Sequence, residues 1–139
     1  MVERLSRKEA RLLAEQELQR AIEEIKSAEI LKEHGIHFKS VVSSYYSVFH
    51  AAKAALLLKG VTPRSHEGVE RMFSLYYVRS GTIDVDISRI IGRLMKLREE
   101  ADYFPESPFT EKDSADALKM AKHFFTKIKP LFQKSRSKK

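Results

Sequence analysis

Between Lys39 and Lys59 the chain runs Val41, Val42, Tyr45, Tyr46, Val48 and Phe49 into Ala51, Ala52, Ala54, Ala55 and Leu56–Leu58, leaving almost no polar face. A helix apolar on nearly every side has to be surrounded by other elements. This segment therefore predicts the central helix of a bundle. Its alanines allow neighbouring helices to approach closely, while its aromatic rings fill wider gaps.

The rest of the chain supplies the surroundings. From Glu3 to His34, Leu12, Leu13, Leu18, Ala21, Ile22, Ile25, Ala28 and Leu31 recur at three- and four-residue intervals, which predicts a long amphipathic helix. Gly35 is placed to end it, and Gly60 to end the central helix. Thr62 and Pro63 offer a cap and a first turn for a third helix from about Ser65 to Arg79, with Val69, Met72, Phe73, Tyr76 and Tyr77 inward. Thr82 or Asp84 caps a fourth helix carrying Ile87, Ile90, Ile91, Leu94, Met95 and Leu97. Pro105 and Pro108 make the stretch from Tyr103 to Phe109 a loop. Thr110 and Asp113 form a capping-box-like start for a fifth helix through Ile128, which Pro130 closes. No alternating strand pair and no internal repeat is present, so the expectation is all-α: an up-and-down bundle of four to five antiparallel helices.

With 139 residues, the length fits one domain, expected over 1–133 and followed by a basic tail at 134–139. The net charge of +7 suggests a nucleic-acid partner, but Lys134, Arg136, Lys138 and Lys139 sit in the last six residues and leave +3 elsewhere. That tail reads as solvated chain that could touch phosphate. The absence of cysteine excludes disulfides, thiolate metal sites and cysteine nucleophiles. No apolar run reaches the ~20 residues of a membrane span, and the N-terminus lacks a signal-peptide stretch, so a cytoplasmic protein without a membrane role is expected.

The usual catalytic motifs are missing: there is no phosphate-cradling glycine loop, no zinc-spaced histidine pair and no nucleophile elbow. The five histidines share no helix face at ligand spacing, so no metal and no cofactor is expected. His50, within the aromatic helix, reads first as a hydrogen-bonded core histidine. Arg98 and Asp102 lie four residues apart on one helix face with Tyr103 beside them. On their own they make an ordinary surface pair worth a few tenths of a kcal/mol, about 0.2–0.5.

The stretch Ser43-Ser44-Tyr45-Tyr46-Ser47-Val48-Phe49-His50-Ala51-Ala52-Lys53-Ala54-Ala55-Leu56-Leu57 resembles the signature helix of small prokaryotic HEPN-domain proteins. The likeness continues through Gly60-Val61, Pro63 to Val69, Arg98 to Tyr103 and the last helix, covering about Ser40 to Ile128. The first helix and the tail carry no specific match. The resemblance implies a helical bundle that forms a homodimer, often paired with a minimal nucleotidyltransferase in a toxin–antitoxin-type module. Many members are metal-independent ribonucleases in which an arginine is followed, after roughly four to six intervening residues, by a histidine. Arg98 matches the arginine, but Tyr103 stands where the histidine is expected. A tyrosine ionising near ~10 is a weak base at neutral pH. His50 or His66 could reach the site from another helix, or Asp102 could act as base.

Three readings follow. The preferred one is a nucleotide- or RNA-binding regulatory protein with Arg98, Asp102, Tyr103, His50 and His66 as candidate ligand-binding residues. The second is a ribonuclease toxin with a non-standard motif. The third is a dimeric adaptor that binds only protein, using Tyr45, Tyr46 and Phe49, or Tyr76 and Tyr77, as its interface.

Overall fold

The computed structural model describes residues 6–104 and 108–137, the last four as backbone. It is an all-helical bundle of α1 (Arg7–Glu33), α2 (His37–Leu58), α3 (His66–Phe73), α4 (Val85–Tyr103) and α5 (Glu111–Ser137), with a π-helical turn at Ser74–Val78 extending α3. No strand occurs among the described residues. Residues 3–5, Pro105 and the basic side chains of the expected tail lie outside what is described.

α2 packs against each of the other four helices, as its apolarity requires. Its Tyr45, Val48 and Leu56 meet Phe73, Ile91, Leu94 and Phe124 in the core. By length and composition alone His37–Leu58 could also cross a membrane, with a mean hydropathy of 1.2 over its most apolar window. Most of that window is buried inside the bundle, which accounts for its apolarity.

The α1 seam keeps Ala21, Ala28 and, partly buried, Leu18 of the expected stripe, but not Leu12 and Leu13. Ala10, Ala14, Ala21 and Ala28 are the buried residues of α1, whereas Leu12 is 57% exposed and Leu13 also faces outward. The reason lies in α2, which presents serines to this helix. Ser40 Oγ donates to the Ala28 carbonyl at 2.7 Å and Ser47 Oγ to the Ala21 carbonyl at 3.0 Å. Hydroxyls that reach a neighbouring backbone leave room there for methyl groups only. Leu12 and Leu13 turn away from the seam, while Leu18 packs partly buried against the core.

Helix ends follow capping chemistry. Ser6 and Glu9 form a reciprocal capping box on α1. Gly35 ends the turn after α1 with φ of 75°, a conformation that costs glycine little. The cap of α3 is Ser65, not Thr62: its Oγ accepts from Gly68 N at 2.9 Å. Asp84 is the N-cap of α4 without a side-chain cap bond, and Thr110 with Asp113 caps α5 reciprocally, as the spacing predicts.

Pro130 does not close α5; the helix continues to Ser137. Proline costs a helix one N–H bond, here the one to Thr126, but keeps a helical φ. Tertiary contacts hold the extra turns. Phe132 is buried, Arg11 Cζ lies 5.4 Å over its ring, and Arg11 Nη2 donates to its carbonyl at 3.2 Å.

Candidate functional site

Three helices converge on one aromatic ring. α2 carries Tyr45 and Phe49 one turn apart, with Tyr46, His50 and Lys53 on the adjoining face. The Ser65 cap fixes the start of α3, so His66 is held at its first residue. α4 brings Arg98 and, one turn later, Asp102.

Tyr45 is almost wholly buried, and its hydroxyl meets His66 Nδ1 at 2.6 Å. The His66 ring stacks on Phe49 with centroids 4.2 Å apart and planes 11° from parallel. Arg98 Cζ sits 5.4 Å over the Tyr45 ring, a cation–π arrangement. Tyr45 thus holds a guanidinium on its face and an imidazole at its hydroxyl. The Arg98 side chain is 17% exposed; Nη1 lies 3.4 Å from Asp102 Oδ2, while Nε is buried without a hydrogen-bond partner among the described residues. A buried guanidinium N–H without an acceptor is costly, which favours a site that an anion completes.

Beside this group, Glu17 of α1 accepts from His50 Nδ1 at 3.2 Å and pairs with Lys53 Nζ at 3.4 Å. Lys53 Nζ also lies 6.0 Å from the Phe49 ring centre. Burial pushes the Tyr45 phenol up to about 12, only partly opposed by Arg98. Burial also lowers His66 from its ordinary value, reinforced by the charges of Arg98, His50 and Lys53. Burial tends to raise Glu17, but the His50 hydrogen bond and the Lys53 and His50 charges carry its carboxyl below the usual range.

The fold therefore gathers Arg98, Asp102, His66 and His50, which sequence places on three different helices. Tyr103 is not in the group: it ends α4 and is 70% exposed. Tyr45, Phe49, Glu17 and Lys53 belong to the site but were not singled out as site residues by sequence. Tyr45 and Phe49 read as packing, and nothing in the local pattern distinguishes Glu17 from the other charges of α1. Tyr45 and Tyr77 are buried, which removes both from the interface expected of a protein-binding adaptor.

Among the described residues no group of three or more His, Asp or Glu could hold a metal ion. A separate cleft of about 440 Å³ lies between the start of α4 and the end of α5, lined by Ile83, Asp84, Ile87, Lys127, Pro130 and Leu131 among others. Ile87 and Arg98 are roughly 16 Å apart along α4, so the cleft belongs to a different end of that helix.

Comparison with known proteins places the chain in a family. A "putative toxin" of Methanocaldococcus jannaschii is 39% identical over 109 residues, covering 78% of this chain and 81% of the relative. A second "putative toxin" of the same organism is 29% identical over 108 residues, covering 78% and 73%. A crystal structure of the Thermus thermophilus protein TT1696 superposes with a TM-score of 0.74 over 85% of this chain and 97% of that one, at 15% identity, a likeness of fold. The HEPN domain family matches residues 14–131, which takes in most of α1 as well as the stretch from Ser40 to Ile128. On that match and on the relatives, this chain belongs to the HEPN-domain family.

Proposed function

We propose that this protein binds a nucleotide or RNA through a phosphate contact at Arg98, as the regulatory member of a toxin–antitoxin-type pair. The observation that carries this reading is the Arg98 guanidinium, packed over Tyr45 with a buried Nε that has no acceptor among the described residues. A phosphate oxygen supplies acceptors that match guanidinium geometry. The names of the Methanocaldococcus relatives support the toxin-type setting. The expected assembly is a homodimer, and the expected partner a minimal nucleotidyltransferase.

Arg98→Ala tests this directly. With helical content unchanged by circular dichroism, the variant should lose RNA oligonucleotide binding measured by fluorescence anisotropy. The wild-type affinity should fall steeply as salt rises, because phosphate contacts release counterions. Unchanged binding by Arg98→Ala would remove Arg98 from the site.

The placement of His66 favours a second reading, a metal-independent ribonuclease, since an imidazole stands beside the arginine although α4 lacks one. RNA cleavage by the purified protein in EDTA, abolished by Arg98→Ala, would establish this reading in place of the first.

A further inference from the structure

Where the proton lies between Tyr45 and His66 decides what this site can recognise. The Tyr45 phenol keeps its proton throughout the neutral range and is able to donate it in a hydrogen bond. The partner within its reach is His66 Nδ1, at 2.6 Å. An imidazole whose Nδ1 accepts carries its own proton on Nε2. Because Phe49 covers one face of the His66 ring, contact with a ligand falls to the ring edge.

The charges that act on this imidazole are net positive, since Arg98, His50 and Lys53 each lower it from its ordinary value. α2 contributes Lys53 and His50, and both share Glu17 of α1. α4 contributes Arg98, set against Asp102, together with Glu99, which is solvent-exposed and weakened by screening. A monoanionic phosphodiester entering beside Arg98 opposes those positive charges, and His66 is the group there placed to take up a proton in response.

We propose that His66 is a second phosphodiester-binding group beside Arg98, presented as an Nε2–H donor by the Tyr45 hydroxyl, and that it takes up a proton when the phosphodiester binds. This rests on the phosphate-binding reading above. The proton comes from solvent onto Nδ1, and the Tyr45 oxygen changes from donor to acceptor. In the neutral form Nε2 is already occupied by hydrogen, so His66 recognises phosphate and does not act as a base toward a ribose hydroxyl.

The probe is a 2′-O-methyl oligouridylate, which cannot be cleaved through its 2′ oxygen and whose phosphodiesters do not titrate near neutrality. Its affinity is measured by fluorescence anisotropy on the full chain at constant ionic strength, from about pH 5.5 to about pH 8. Wild-type affinity should fall about tenfold or more across that range. His66→Gln should bind roughly tenfold more weakly at the acidic end and show a flat pH profile. His123→Gln, on the exposed face of α5 and outside the site, should keep the wild-type slope. A flat wild-type profile, or a slope retained in His66→Gln, would overturn the His66 assignment while leaving the Arg98 reading in place. Absence of binding at every pH would refute both. A nitrogen-15 spectrum of the free protein gives an independent check: the Nε2–H tautomer of His66 is expected, and an Nδ1–H tautomer would sink the proposal.

Discussion

Replacing Ala21 by leucine asks whether the α1–α2 seam is as tight as the hydrogen bonds across it imply. Ala21 is fully buried, and its carbonyl accepts from Ser47 Oγ at 3.0 Å. A leucine at this position adds three carbons where a serine already touches the opposing backbone. If the carbons could be accommodated, their burial would stabilise the fold by roughly 0.8 kcal/mol each. Without room, overpacking costs about 1–3 kcal/mol, and separation of the helices forfeits the Ser47 bond, about 1 kcal/mol more. Strain wins because the seam is bounded by backbone on one side and by hydrogen-bonded serines on the other. The expected loss is about 2–4 kcal/mol, a large part of a total stability of roughly 7–20 kcal/mol for a chain of this length. Thermal unfolding followed by circular dichroism should show a melting temperature lower by roughly 6–15 °C. Leu12→Ala, one helix face away and 57% exposed, should change stability by less than about 0.5 kcal/mol. An Ala21→Leu protein as stable as the wild type would refute the close-approach argument, as would a Leu12→Ala loss of core-truncation size.

Pro130 and the buried charges offer further tests. Pro130→Ala restores the N–H that α5 lacks opposite Thr126 and should stabilise the protein by about 1–2 kcal/mol in urea unfolding; destabilisation would mean that the proline serves the end of the helix. Acidification should weaken the fold in two steps. His66 lies below its ordinary 6.5 in the folded protein, chiefly through burial, so the unfolded chain binds protons first and stability falls as pH drops below 6.5. Glu17 is held below 4.5 despite burial, so its contribution is complete above 4.5 and is lost as pH falls through its lower folded value. His66→Gln should remove the first step and Glu17→Gln the second, and a pH–stability curve unchanged by either substitution would contradict the assignment.

Local signals read well wherever the deciding interaction was itself local. The Thr110–Asp113 cap, Gly35 after α1 and the central position of α2 all depend on residues within a turn or two, or on the composition of one segment. The α1 stripe held at Ala21, Ala28 and Leu18 but not at Leu12 and Leu13, because periodicity gives the faces of a helix without saying which one another helix accepts. The serines of α2 made that choice at Ala21 and Ala28, where their hydroxyls reach the α1 backbone. Pro130 was misread for a related reason: its local preference for a helix end was overcome by Phe132 and Arg11, 121 residues apart in the chain.

The candidate site divides along the same line. Sequence determined the residue types, the pairing of Arg98 with Asp102 at one-turn spacing, and the lack of a histidine at Tyr103. It could not place His66 on Tyr45 or Tyr45 beneath Arg98, because those contacts join α3, α2 and α4 through packing distances that no single-helix period encodes. Helix periodicity and capping act over a few residues and survive in the sequence as pattern; the contacts of His66 with Tyr45 and Phe49 exist only once separate helices have brought their side chains together.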